Sequence, residues 1–221
     1  MTFDFRAVGY RLWDIAAAAG GLLLLAPLLA GIAVLVLVCD GRPLLFHQVR
    51  VGKKGRLFRV WKFRTMRAGV PGSSITTEDD GRITPLGSRL RKFKLDELPQ
   101  LFNVLKGDLS LIGPRPEVPR FVELQHPLWQ AILEVRPGIT DLATLVYRDE
   151  EQRLRGRPDH ETHYRKTLLQ DKLWLNLEYL RHRTLWLDLK LIWLTVRYSF
   201  LPAGFDSRRL RRLFVQEMKS L

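Results

Sequence analysis

No charged side chain occurs between Ile15 and Val38. An uncharged stretch of 24 residues leaves a chain few structural options. About 20 apolar residues suffice to cross a bilayer core as a helix, and a backbone in lipid must bond within its own segment. A cleaved signal peptide fits poorly. Asp14 lies beside the stretch, the run is too long, and no small-residue cleavage site ends it. The segment is therefore expected to stay in the protein. Pro27 sits at its centre, where it removes a backbone donor and crowds the preceding turn. Two outcomes remain open: a bent helix that spans the membrane, or one that turns back and leaves by the face it entered. Both flanks are basic, with Arg6 and Arg11 before and a long positive run after. Basic flanks favour the cytoplasmic side.

The positive run is the second constraint. From Gly41 to Thr77 there is no acidic residue, while nine arginines and lysines fall between Arg42 and Arg67. A second cluster, Arg208, Arg209, Arg211 and Arg212, closes the chain, whose formal net charge is +13. Such a surface seeks phosphate: nucleic acid, anionic headgroups or phosphorylated small molecules. Next to an apolar anchor, lipid and phosphorylated substrates are favoured. The single cysteine, Cys39, excludes an internal disulfide framework and reads as structural. The absence of CxxC and HExxH patterns argues against structural zinc. His160 and His163 have helical spacing, but a solvated or core role outweighs a metal pair.

The pattern predicts a mainly α fold with a small β-hairpin. Residues 1–40 form the anchor, 41–205 a catalytic domain at the cytoplasmic face, and 206–221 a basic C-terminal helix. Residues 44–51 and 57–63 read as strands joined by Gly52-Lys53-Lys54-Gly55. Residues 66–82 read as a loop, and 86–93 as a helix started by Thr84-Pro85. A further helix is expected to start at Asp96, acting as N-cap, with Pro99 in its first turn and Gly107 ending it. Residues 117–125, 128–135 and 159–183 also read as helical. Residues 185–201 carry Trp186, Trp193, Tyr198 and Phe200 with Lys190 and Arg197, which suits an interfacial amphipathic helix.

The chemistry concentrates between Lys94 and Pro116. A carboxylate at a helix start is held ionised by the dipole. An ionised aspartate can attack phosphorus, and a neighbouring glutamate can hold Mg²⁺ together with substrate phosphates. Alone, Asp96-Glu97 reads as an acidic first turn. Arg89, Arg91, Lys92 and Lys94 before the pair, and Arg115 inside Gly113-Pro114-Arg115-Pro116, change that reading. Positioned cations are most of what phosphoryl transfer needs.

Seven blocks then stand in a telling order: the apolar segment with Pro27; Phe46-x-Gln48-x-Arg50-x-Gly52; Lys62-Phe63-Arg64-Thr65-Met66; Leu95-Asp96-Glu97-Leu98-Pro99-Gln100; Asn103 to Asp108; Gly113-Pro114-Arg115-Pro116; and Arg136-Pro137-Gly138-Ile139-Thr140. In this the chain resembles the bacterial sugar transferases, small monotopic phosphoglycosyl transferases, over roughly residues 10 to 200. It looks like that family's minimal catalytic unit. The resemblance implies transfer of a sugar 1-phosphate from a UDP-sugar to undecaprenyl phosphate with release of UMP. This is the first membrane step of a glycan assembly pathway such as exopolysaccharide, lipopolysaccharide or capsule synthesis. It implies Asp96 as nucleophile, Glu97 as Mg²⁺ ligand, and Arg91 and Arg115 as phosphate-binding residues. Lys62 and Arg64 match the basic strand beside the site, and Asp188 a C-terminal acidic position. Pro27 matches the break of a re-entrant helix in the bacterial inner membrane. Membrane lipids are implied partners, a homodimer is an open arrangement, and nucleic acid is not a partner. Ala26, Lys94 and Asp141 depart from the family's usual serine, serine and glycine, which bears on the donor sugar more than on the reaction.

Rival readings are a membrane-tethered nucleic-acid binder, a non-catalytic scaffold of a glycan assembly complex, and a phosphotransferase with another donor or lipid. The first lacks a recognisable motif. The intact acidic pair and arginines argue against the second, and activity alone separates the third.

Overall fold

The computed structural model describes residues 5–70, 72, 75–77, 79–156, 159–201 and 204–219. The apolar stretch lies within one long helix, α1 (Phe5–Asp40). The helix continues through Pro27, where the residues predict a bend and the family resemblance implies a break. Losing one N–H removes a single helical bond, and helices can bend around that loss rather than end. Along α1, partly or fully buried positions recur every three or four residues: Asp14, Ala18, Gly21, Leu25, Leu29, Ile32, Val36 and Asp40. That spacing marks one face, which packs on the rest of the protein. The other face is apolar and open, with Leu23 81% and Val38 76% exposed.

Polar contacts fasten both ends of α1 to the same body. Near its start, Arg11 donates to the carbonyls of Val104 at 2.7 Å and Leu105 at 3.0 Å. Asp14 accepts from Ser110 Oγ at 2.7 Å and Leu111 N at 3.0 Å. At its end, Asp40 accepts from Thr84 Oγ1 at 2.9 Å. The buried Arg64 guanidinium donates to the carbonyls of Asp40, Gly41 (2.7 Å) and Arg42 (3.1 Å).

The hairpin is as predicted: β1 (Leu45–Val51) pairs antiparallel with β2 (Leu57–Phe63), with Gln48 opposite Val60. Then come α2 (Pro85–Lys92) and α3 (Gln100–Lys106). A second pairing was not anticipated. β3 (Ser110–Ile112) and β4 (Gly138–Thr140) lie parallel, three residues each. Strands this short carry too little alternation to register as a pattern. Their backbones meet so closely that a Cβ on Gly138 would fall 2.1 Å from Gly113 N.

The main core gathers α4 (Pro127–Leu133), α5 (Leu142–Val146), α8 (Leu169–Arg181), α9 (Leu185–Phe200) and α10 (Ser207–Lys219), with α6 (Glu150–Leu154) and α7 (His160–His163) around it. A π-helical stretch, Tyr164–Leu168, joins α7 to α8, so helix runs from 160 to 181. α10 inserts Leu210, Phe214 and Met218, spaced four apart, into that core. α9 buries Leu187, Leu191 and Leu194 and leaves Trp186, Leu189, Trp193, Val196 and Phe200 exposed at helical spacing. Both of its faces are therefore apolar.

Residues 117–125 are not a helix: only Pro119–Phe121 forms a 3₁₀ turn. Pro116 and Pro119 lack donors, and the Glu117 carbonyl accepts instead from Val51 N at 2.9 Å. Cys39 is exposed on α1 rather than structural.

Candidate active site

Asp96 does not cap a helix. Lys94 adopts a left-handed conformation, φ 57°, and Leu95–Glu97 form a 3₁₀ turn. Leu98 and Pro99 are right-handed helical, and α3 begins at Gln100. The expected dipole support for an ionised Asp96 is therefore replaced by burial. Asp96 is 5% and Glu97 8% exposed.

The two carboxylates meet opposite environments. Glu97 Oε1 receives Lys62 Nζ from β2 and Arg115 Nη2, each at 2.6 Å. Its Oε2 receives Arg115 Nη1 at 3.3 Å. Burial pushes the Glu97 carboxyl up, but Arg115 and Lys62 outweigh it and hold the group well below the usual carboxylate range. Among the described residues Asp96 has no such ion pair, and its Oδ1 is buried with no hydrogen bond. Burial, and then the charge of Glu97, push its carboxyl above the usual range. Burial also lowers the Lys62 ammonium, with Glu97 opposing.

Arg115 is held by its backbone. Its N–H donates to Asp141 Oδ2 at 2.5 Å, the preceding Pro114 carbonyl accepts from Gly138 N at 3.0 Å, and Gly113 N donates to Thr140 O at 3.2 Å. The Gly-Pro-Arg-Pro and Arg-Pro-Gly-Ile-Thr blocks are thus two sides of one contact. On the far side, Arg50 donates from Nη1 to Pro116 O at 2.9 Å and is steadied by Gln48 Oε1 at 2.6 Å. Gln48 and Arg50 stand two apart on one strand, so the spacing of the Phe-x-Gln-x-Arg block serves this brace.

Asp141 was singled out only as a departure from a family pattern. Fully buried, it also caps α5 by accepting from Thr144 N, while Asn176 Nδ2 lies 3.4 Å from its Oδ2. Asn103 entered only as the first residue of a block, with no role read for it. It joins α3 to β2 by accepting from Trp61 N at 3.1 Å and donating to Arg59 O at 2.8 Å.

The other predicted residues divide. Arg91, in the last turn of α2, donates to Glu151 of α6 and is near enough for its charge to act on Asp96. Arg64 does not turn to the pair; its terminal nitrogens close the end of α1. Asp188 lies in another buried cluster, where Tyr179 donates to it and Arg183 Nη2 bonds it at 2.7 Å. Arg183 also stacks over Tyr10 of α1 at 4.5 Å. Asp188 therefore ties α8, α9 and α1 together. Pro27 is exposed on α1.

The site is thus a buried carboxylate with one unbonded oxygen beside a doubly paired carboxylate, near Lys62, Arg115 and Arg91. Known proteins are similar over most of the same chain. The bacterial sugar transferase family matches residues 5–201. A UDP-N-acetylgalactosamine-undecaprenyl-phosphate N-acetylgalactosaminephosphotransferase from Aeromonas hydrophila is 37% identical over 202 residues, covering 88% of this chain and 44% of the relative. A UDP-glucose:undecaprenyl-phosphate glucose-1-phosphate transferase from Klebsiella pneumoniae is 38% identical over 196 residues, covering 86% and 40%. An uncharacterized sugar transferase, EpsL, from Bacillus subtilis is 35% identical with 89% of both chains covered. The chain spans less than half the length of the first two relatives. With the match extending over nearly the whole sequence, the chain belongs to the bacterial sugar transferase family.

Proposed function

We propose that the chain is a phosphoglycosyl transferase that moves a sugar 1-phosphate from a UDP-sugar to undecaprenyl phosphate through a covalent intermediate on Asp96. The observation that carries this reading is the contrast between adjacent carboxylates. A carboxylate clasped by cations, like Glu97, has its lone pairs engaged. Asp96, buried with Oδ1 unbonded and its basicity raised, keeps them for attack.

In the first displacement an Asp96 oxygen attacks the phosphorus bearing the sugar. The bond from that phosphorus to the bridging oxygen breaks, and UMP leaves with the electron pair. In the second, an oxygen of undecaprenyl phosphate attacks the same phosphorus. The Asp96–phosphorus bond breaks, restoring the carboxylate and giving the lipid diphosphate sugar. Arg115, Lys62 and Arg91 supply positive charge for the phosphate oxygens.

Mg²⁺ belongs to this reading. On Glu97 the oxygen less engaged by protein donors is Oε2, which Arg115 Nη1 reaches only at 3.3 Å, and a carboxylate oxygen with substrate phosphates suits this ion. Glu97 would hold it, and when bound it neutralises diphosphate charge.

The membrane reading is same-sided. A helix of this length can cross a bilayer, yet Asp14 near its start and Asp40 at its end both bond the body that carries the site. That supports an anchor whose two ends both lie at the cytoplasmic face of the inner membrane. The outward aromatic stripe of α9 suits the same interface.

Initial-rate kinetics test the reading, with UDP-glucose and UDP-N-acetylgalactosamine screened for UMP release against undecaprenyl phosphate and Mg²⁺. Parallel double-reciprocal lines are expected. Intersecting lines, with both substrates needed before UMP leaves, would contradict it.

A further inference from the structure

Gln100 stands four residues after Asp96. The backbone between them is right-handed throughout, running from the 3₁₀ turn through Leu98 and Pro99 into α3, so only about one turn of chain separates the two residues. Gln100 is 2% exposed, and its Nε2 is buried without an acceptor. Asp96 Oδ1, also buried, has no donor, so the two groups do not satisfy each other. Asn103, three residues further along α3 and equally buried, bonds Arg59 O, Trp61 N and Asp108. Asn103 holds the fold together; Gln100 keeps an idle donor about one turn of chain from Asp96. Such orphaned groups are rare in folded proteins and call for a reason.

We propose that Gln100 is a catalytic residue whose Nε2 donates to a non-bridging oxygen of the phosphoryl group as that group passes onto and off Asp96. The inference rests on Asp96 being the nucleophile. Neither displacement changes the covalent state of Gln100: its N–H is kept while the phosphorus exchanges one oxygen partner for another. The choice of a neutral amide has a physical reason. A lysine or arginine at this spacing would pair with Asp96 and mask its lone pairs, as Lys62 and Arg115 do for Glu97. An amide supplies a donor in a water-poor site without that competition.

The test compares Gln100→Leu, Gln100→Glu and Asp96→Asn with the wild type in UMP release from whichever of UDP-glucose or UDP-N-acetylgalactosamine the wild type uses. Gln100→Leu is expected to lower kcat by about 10² to 10³-fold with KM for the donor little changed. Its Tm should equal or exceed that of the wild type, because a buried idle donor is gone. Gln100→Glu restores a donor only when protonated, so its activity relative to wild type should rise as pH falls. Near-normal kcat in Gln100→Leu, a lowered Tm in that variant, or a pH-independent ratio for Gln100→Glu would each overturn the proposal. Asp96→Asn separates the two readings. If it is inactive while Gln100→Leu is normal, only the role of Gln100 fails; if it stays active, the nucleophile assignment fails first.

Discussion

The main-chain N–H of Arg115 lies 2.5 Å from Oδ2 of Asp141, and Oδ1 of the same carboxylate accepts from Thr144 N. Two backbone donors therefore converge on one side chain, and each needs an oxygen. Asparagine offers only one, so Asp141→Asn sets an amide against an N–H. We expect a loss of about 2 kcal/mol of stability. Displacing Arg115 should also cost roughly 10- to 100-fold in kcat/KM. Thermal melts and donor kinetics check this. Unchanged kcat/KM would mean that Arg115 is positioned by other contacts.

Gly138→Ala probes the neighbouring contact. Its Cβ would fall 2.1 Å from Gly113 N, a backbone atom that cannot swing aside. A loss of about 2–3 kcal/mol in urea unfolding is expected, with Arg115 displaced along with its turn. Wild-type stability would show that the β3–β4 contact is looser than described.

The acidic pair predicts a pH profile. Burial, then Glu97, raise the Asp96 carboxyl above its ordinary range. Only the ionised form attacks, so activity should fall as pH drops through that raised value. The acid limb of kcat/KM should sit above the ordinary aspartate range. Glu97, held low by Arg115 and Lys62, stays ionised throughout. Lys62→Met removes a charge that lowers Asp96 and should move the limb to higher pH. Since Arg115 still pairs Glu97, this variant should cost only about 1–3 kcal/mol. A limb at the ordinary aspartate range, unmoved by Lys62→Met, would contradict the electrostatics described.

Both ends of α1 bond one body, which predicts the sidedness of labelling. In a Cys39→Ser background, cysteines placed at Val8 and at Arg208 should both resist an impermeant maleimide in intact cells and react in inverted vesicles. Labelling of the Val8 position from outside, with Arg208 protected, would establish a span.

The hairpin, α2, α9 and the apolar anchor were legible because each carries many residues of one period or a strong cap such as Thr84-Pro85. The acidic pair was legible as a candidate because Arg89, Arg91, Lys92 and Lys94 precede it closely and Arg115 follows. The state of the pair was not. Lys62 reaches Glu97 across 35 residues and Arg115 across 18, and no local pattern says which carboxylate they choose. Arg64 and Asp188 show the same limit from the other side: residue type and motif suggested a site, while long-range geometry gave one a helix end and the other a buried arginine and tyrosine. β3 and β4 were invisible because a three-residue strand is specified by its partner, not by itself.

The central claim is that Asp96 becomes covalently attached to the phosphosugar. Intact-protein mass spectrometry after incubation with the UDP-sugar, without lipid acceptor, tests it most directly. A mass increase of one sugar phosphate is predicted for the wild type and for Asp188→Asn, with none for Asp96→Asn. An adduct persisting on Asp96→Asn would contradict the account.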